Sequence, residues 1–225
     1  MRNAINSGVA MARGKYILKC DAHCMFAPGF DVELSANCEP NWVVIPRRKR
    51  LDAINWHLQD VGKPDVDYEY LCYPNSTGDW SDGLHGRVWD SRAKERANIL
   101  IDDNMSAQGS CWFMHKNYFH ELELEDEENY GTFVHEFQEV GLKCWLSGGR
   151  VVTNKKTWYA HLHKNKETGG RGYHLEDKQL EKGTAYTNRW LTNTAWQKQT
   201  LPFSWLIEKF WPVPGWPEDR SLWTP

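Results

Sequence analysis

A short apolar stretch, Tyr16-Ile17-Leu18, runs almost without a break into Cys20-Asp21-Ala22-His23-Cys24. Bounded by Lys15 and Lys19, it predicts a short buried strand over residues 15–19. Polar residues directly after a buried strand lie at its carboxyl end, where open α/β sheets place their ligands. Asp21 and His23, two apart on such an end, can converge on one cation, since carboxylate and imidazole are both metal donors. The plain alternative is a surface aspartate that neighbours a histidine.

The surrounding segments fit an α/β chain. Residues 3–13 predict a helix with a small apolar face of Ala4, Val9, Ala10 and Ala12, stopped at Gly14. Residues 29–37 predict another after Pro28, and Val43, Val44 and Ile45 make residues 42–46 a second strand. Residues 47–101 show weak periodicity and many Asp, Gly, Pro and aromatic residues, and read as an irregular excursion. A strand over 109–114, a short helix over 117–122 and a longer one over 132–140 ending at Gly141 follow. Strands are expected over 143–146 and 150–153, around Ser147-Gly148-Gly149, and over 157–162. Residues 164–172 read as a loop with three glycines and several cations. The tail from Thr200 carries Pro202, Pro212, Pro214, Pro217 and Pro225 and reads as an extended wrap. The expected organisation is one domain over residues 1–199 and an extension over 200–225 that packs on it.

Composition narrows the function classes. A formal charge of −3 argues against nucleic-acid binding by bulk electrostatics. Locally, Arg47-Arg48-Lys49-Arg50 could track a phosphate backbone or form a solvated loop. The six cysteines do not resemble a disulfide framework, and no apolar leader follows Met1. No apolar run approaches the roughly 20 residues that span a bilayer. These features predict a cytoplasmic protein with reduced thiols. Thirteen tryptophans are the outlier, and they serve either packing or stacking against sugar rings and bases.

Three further clusters carry chemistry. Small residues in Ser106-Ala107-Gln108-Gly109-Ser110 precede an apolar strand and would let a ligand approach the backbone, or would simply form a tight turn. Glu136 and Glu139 share one helix face, where one could take a proton or hold a sugar hydroxyl, or both could be solvated. In Trp158-Tyr159-Ala160-His161-Leu162-His163-Lys164, strand alternation points His161 and His163 the same way. That geometry offers a metal ligand and, in Lys164, a phosphate-facing cation. Cys20, Cys24, His161 and His163 also admit a structural zinc site, although no second close cysteine pair exists.

The order of these clusters resembles that of family-2 glycosyltransferases and the polypeptide N-acetylgalactosaminyltransferases. Their aspartate-x-histidine motif after a buried strand is matched by Asp21 and His23 in Lys19-Cys20-Asp21-Ala22-His23-Cys24. Their small-residue segment before a strand is matched by Gln108-Gly109-Ser110-Cys111-Trp112-Phe113. Lys116-Asn117-Tyr118-Phe119 and Asp126-Glu127 also fit. A helix Glu, a Gly-Gly turn and a late histidine are matched by Glu136, Gly148-Gly149 and His161. The resemblance covers roughly residues 1–195. It departs at Phe137, where inverting members carry Asp, which leaves the general base open between Glu136 and Glu139. It departs again at Ser110, which stands for a second glycine.

The resemblance implies an α/β GT-A fold, a mixed sheet flanked by helices. It implies Mn2+ or Mg2+ held by Asp21, His23 and His161 under a nucleotide-sugar diphosphate, with UDP-sugar as the expected donor. Gln108, Gly109, Ser110, Trp112 and Glu136 would meet the donor, and Trp112, Trp158 and Tyr159 are candidates for stacking. Lys164, Lys166 and Arg171 would close over the phosphates on a lid hinged at Gly169, Gly170 and Gly172. The acceptor could be a glycan, a protein or a modified nucleic-acid base. Family members also carry a first β-α-β unit ahead of the helix that here begins near residue 3. The chain is therefore expected to start mid-sheet, as part of a longer product or beside a partner chain. An isolated chain of this extent is expected to be poorly soluble, oligomeric or unable to bind nucleotide sugar. Two other readings stay open: an inactive remnant or accessory acceptor-binding chain, and the zinc-binding structural protein.

Overall fold

A computed structural model describes residues 1–59, 62, 64–74, 83–162 and 177–223. In chain order the elements are α1 (Arg2–Met11), β1 (Tyr16–Cys20), β2 (Cys24–Phe26), α2 (Phe30–Ala36), β3 (Trp42–Asp52) and β4 (His57–Leu58). Then come β5 (Glu69–Leu71), β6 (Gly86–Val88), α3 (Asp90–Glu95), β7 (Ile101–Asp103), β8 (Cys111–His115) and α4 (Lys116–Glu121). The last are α5 (Glu127–Tyr130), α6 (Glu136–Leu146), β9 (Arg150–His161), α7 (Asp177–Asn188) and α8 (Phe203–Phe210).

The main sheet runs β1-β8-β3-β9-β2, with β4 added to β3 and β7 to β9. β8 is antiparallel to both β1 and β3, and β3 is parallel to β9. β1, β3 and β9 therefore point the same way, and their carboxyl ends face one edge. The sheet is apolar on both sides, as strand alternation requires. Val43, Trp112 and Val151 face the larger core, whereas their neighbours Val44, Phe113 and Val152 face a smaller one with Leu34 of α2. The expected α/β class, a mixed sheet flanked by helices, is what the chain adopts.

Only three residues separate β1 from β2, although the two strands stand at opposite ends of the pairing order. A link that short spans little more than 10 Å. The end of β9 must therefore curl back across the sheet edge. The bend sits where Pro46/Asn154 gives way to Arg47/Trp158, leaving three extra residues on β9. A bulge there re-aims the strand end, and proline in a strand is tolerated at such a break.

Several expectations are corrected. Residues 143–146 are the last turn of α6, not a strand. All eleven residues of that helix are buried, so it lacks the one-sided periodicity that marks a surface helix. Gly141 lies within it, and the helix starts at Glu136, after His135 in a left-handed conformation, not at 132. The strands expected over 150–153 and 157–162 are one continuous β9. The basic run 47–50 is not loop but the second half of β3, paired to β9 from Arg47↔Trp158 to Arg50↔His161. In the tail, Phe203, Leu206, Ile207 and Phe210 recur at helical spacing and form α8, buried in the same core as Trp145.

Gly149 leads into β9 where no side chain fits. A Cβ there would stand 2.7 Å from the Asn41 carbonyl oxygen and 2.9 Å from Cys144 Sγ, and would collide with the Tyr118 hydroxyl. The Asn41 oxygen is backbone and cannot swing away. Gly149→Ala is expected to lose about 3 kcal/mol or more, the upper range for overpacking, read as a lowered midpoint in urea unfolding.

Candidate active site

Four segments meet at the carboxyl edge of the sheet. β1 ends at Cys20, and the Asp21 amide donates to the Ser110 carbonyl at 2.9 Å. Because β8 is antiparallel to β1, the residues before it, Gln108-Gly109-Ser110, come to the same edge. His161 arrives as the last residue of β9. Glu136 arrives at the start of α6, 3.0 Å from Lys19 Nζ.

Asp21 divides its two oxygens. Oδ2 lies 3.2 Å from His161 Nε2 and 3.7 Å from His23 Nε2. Oδ1 accepts from Lys19 Nζ at 3.2 Å. The two imidazole rings stand 4.7 Å apart. One ligand atom from each of Asp21, His23 and His161 lies within 4.8 Å of the others, close enough to share a divalent ion. One carboxylate with two imidazoles is a donor set that fits such an ion. Among the described residues, neither Cys20 nor Cys24 belongs to a convergent group of three. Burial, with Cys20 and Asp21 beside it, pushes the Cys24 thiol up to about 12, which opposes the thiolate that zinc requires.

Lys19, which no local sequence pattern singles out, ties this cluster to the rest of the edge. Its ammonium also donates to the Gly109 carbonyl and to Glu136 Oε2. Burial works against the Lys19 charge, but Glu136 and Asp21 outweigh it and its pKa is raised. Burial likewise pushes the Asp21 carboxyl up, yet the His161 hydrogen bond and the Lys19 charge prevail and hold it at about 2. Glu136 is raised by burial, with Lys19 and the Trp112 indole opposing. Gly109 makes room for that carboxylate, since a Cβ would come within 2.7 Å of Glu136 Oε2.

The remaining candidates are placed as follows. Trp112 is wholly buried, and its indole N–H donates to Glu136 Oε1 at 2.8 Å, so it presents no open face for stacking. Tyr159 is buried as well and pairs with Ser110 Oγ at 2.8 Å, whereas Trp158 is half-buried. Gln108 Oε1 accepts from Arg48 and from Ser110 Oγ. Glu139 has no exposure. It accepts from Arg2 Nε at 3.2 Å, Lys143 Nζ at 2.8 Å and the Asp126 amide at 2.9 Å, inside an interior ion network away from the cluster. The basic run is answered by acids and backbone. Arg47 grips Asp67 with two bonds of 2.7 Å, Arg48 meets Glu69 at 2.9 Å, Lys49 meets Asp65 at 2.9 Å, and Arg50 donates to the Pro64 carbonyl. It is no open phosphate track. His163, Lys164, Lys166, Gly169, Gly170, Arg171 and Gly172 lie outside the described residues.

The ring of His135, next to Glu136, lies 4.5 Å from that of His85 at a tilt of 37° and meets Thr184 Oγ1 at 3.0 Å. Burial, then His85 and Arg2, lowers its pKa to about 3. Below about 6.5 the unfolded chain takes up a proton that the folded chain refuses, so stability contributed by neutral His135 is lost as pH falls from 6.5 towards 3. Asn tolerates the left-handed backbone here. Relative to His135→Asn, the wild-type protein is expected to lose about 1 kcal/mol between pH 7 and 5.5 in urea melts.

No protein-family model and no curated protein sequence matches the chain. Solved structures do. One, a crystal structure of GalNAc-T7 with UDP, GalNAc and Mn2+, aligns with a TM-score of 0.66 at 14% identity. The chain has a GT-A-like fold. The alignment covers 87% of this chain and 36% of that one, so the chain spans about a third of that structure's length. No helix among the described residues is long and apolar enough to cross a membrane, and all six cysteines are free.

Proposed function

We propose that the chain is the metal-binding part of a glycosyltransferase that takes a sugar from a nucleotide-diphosphate sugar. The observation that carries this reading is the convergence of Asp21, His23 and His161 at the carboxyl edge of a GT-A sheet. A neighbour of this fold is bound to UDP, GalNAc and Mn2+, which favours a UDP-sugar donor here. Two imidazoles beside one carboxylate favour Mn2+ over Mg2+, which prefers oxygen ligands and water. The cation would neutralise charge on the departing diphosphate.

The protein's own groups would do the rest. Lys19 holds Asp21 Oδ1 and leaves Oδ2 turned to the imidazoles. Gln108 and the Gly109-Ser110 backbone would bound the donor sugar. Of the two carboxylates, Glu136 is the one at this edge, and its raised pKa suits a group that accepts a proton. In the transfer, the bond from the anomeric carbon to the diphosphate oxygen breaks and the diphosphate leaves with the electron pair. The acceptor heteroatom bonds to the anomeric carbon, and its proton passes to Glu136. Lys164, Lys166 and Arg171 would contact the phosphates. The test is a panel of UDP-hexoses and UDP-N-acetylhexosamines with Mn2+, read by mass spectrometry as UDP release and sugar transfer. Release that requires Mn2+ and Asp21 supports the proposal. Equal release with a chelator present would refute it.

A further inference from the structure

Gln108 stands beside the metal cluster on a segment that the cluster itself holds. The Ser110 carbonyl accepts from the Asp21 amide at 2.9 Å, and the Gly109 carbonyl accepts from Lys19, whose ammonium also meets Asp21. A sugar joined to a diphosphate on a cation held there would lie against residues 108–110. A glutamine amide can offer such a ligand either of two opposite surfaces, a carbonyl that accepts or an NH2 group that donates.

Here the choice is already made. Gln108 Oε1 accepts from Arg48 Nη1 and, at 3.1 Å, from Ser110 Oγ, so both lone pairs of the carbonyl are engaged. A guanidinium only donates, and the amide cannot turn over without setting its NH2 group against Arg48. The Ser110 hydroxyl gives its single proton to Gln108. The Tyr159 hydroxyl, 2.8 Å away, is therefore the donor to Ser110 and fixes that order of protons. Arg48 is itself held. It is nine-tenths buried, its Nη2 faces Glu69 Oε1 at 2.9 Å, and its backbone exchanges two hydrogen bonds with Val66. The Gln108 amide nitrogen differs: among the described residues nothing accepts from it, and it is not enclosed.

We propose that Arg48 is a positioning residue that locks the Gln108 amide with its N–H pair outward, so that the subsite for the transferred sugar selects an oxygen that accepts. This inference rests on the transferase reading and deepens it. A site built to donate discriminates against a sugar that lacks the matching oxygen, because the N–H is then left unpaired. An unlocked amide would turn to suit either kind of partner and would discriminate less.

The test is calorimetry on the full chain with Mn2+, comparing UDP with UDP-glucose, UDP-galactose and their N-acetylhexosamine counterparts. For the preferred sugar, the ratio of UDP-sugar to UDP affinity should fall at least fivefold in Gln108→Met, the size expected for one hydrogen bond. The ratio should also fall in Arg48→Met, and Arg48→Lys, which keeps a donor-only cation, should retain more of it. A merely structural role for Arg48 would weaken UDP and UDP-sugar together and leave the ratio unmoved. Gln108 is half-buried and uncharged, so its variant tests the subsite even if Arg48→Met, which leaves Glu69 unpaired, fails to fold. In 15N NMR the Gln108 NH2 signals, identified by their loss in Gln108→Met, should shift further with UDP-sugar than with UDP. An unchanged ratio in Gln108→Met, or NH2 signals indifferent to the sugar, would overturn the assignment while Mn2+-dependent UDP binding left the transferase reading standing. A wild-type chain that binds no UDP would refute both.

Discussion

Asp21→Asn is expected to abolish Mn2+-dependent binding of UDP while leaving the fold intact. Asn preserves the shape of the side chain but keeps only one acceptor oxygen, and it removes the one negative charge among the three candidate ligands. Asp21 is the hub of the cluster, with one oxygen facing both imidazoles and the other facing Lys19. Disturbing an outer-shell partner of a metal costs about 10–100-fold in affinity, and losing the anionic ligand itself should cost more than roughly 100-fold. Its side chain is about a third exposed, so the fold should survive, with a modest fall in Tm because Lys19 and His161 favour the lost charge. Calorimetry with UDP and Mn2+ on both proteins provides the comparison. Equal binding would remove Asp21 from the site.

Lys19→Met is expected to act in the opposite manner, chiefly on stability. Lys19 and Glu136 are nearly enclosed, with side chains 11% and 7% exposed and 3.0 Å apart. Removing one partner of a buried pair costs about 3–5 kcal/mol, because the other charge is left uncompensated. For a domain of this size that corresponds to a Tm lower by roughly 6–20 °C. The pH dependence has a definite sign. Without Lys19 the folded-state pKa of Glu136 rises further above its unfolded value, so the folded variant binds a proton that the unfolded chain does not. Stability of the variant therefore recovers as pH falls through the folded pKa towards the unfolded value near 4.5, and its gap to wild type should narrow from pH 8 to pH 5. A pH-independent gap would mean that lost packing, not the Glu136 charge, sets the cost.

The two residues differ in how far the sequence reveals them. Asp21 and His23 are legible because their signal is local: a buried strand and two donors at its end. His161 lies 140 residues from Asp21 and became a candidate through the order of clusters rather than any local pattern. Lys19 was hidden because a lysine after three apolar residues looks like the solvated end of a strand. Its partner Glu136 is 117 residues away. The same distance effect hid the fate of Glu139, whose partner Arg2 is 137 residues away. At sequence level Glu136 and Glu139 are equivalent on one helix face, and only tertiary packing separates an enclosed ion network from the sheet edge. The end of α6 reads as a strand because burial on every side erases helical periodicity. α8 carried a readable stripe of four apolar residues, obscured by the prolines that flank it.

The most direct measurement is a Mn2+ titration of the full chain followed by electron paramagnetic resonance, with and without UDP. One bound ion per wild-type chain is expected, with affinity raised by UDP and lowered at least tenfold in both Asp21→Asn and His161→Ala. A wild-type chain that binds no Mn2+ at millimolar concentration in the presence of UDP, or one whose affinity is untouched by either substitution, would contradict a metal centre at Asp21, His23 and His161.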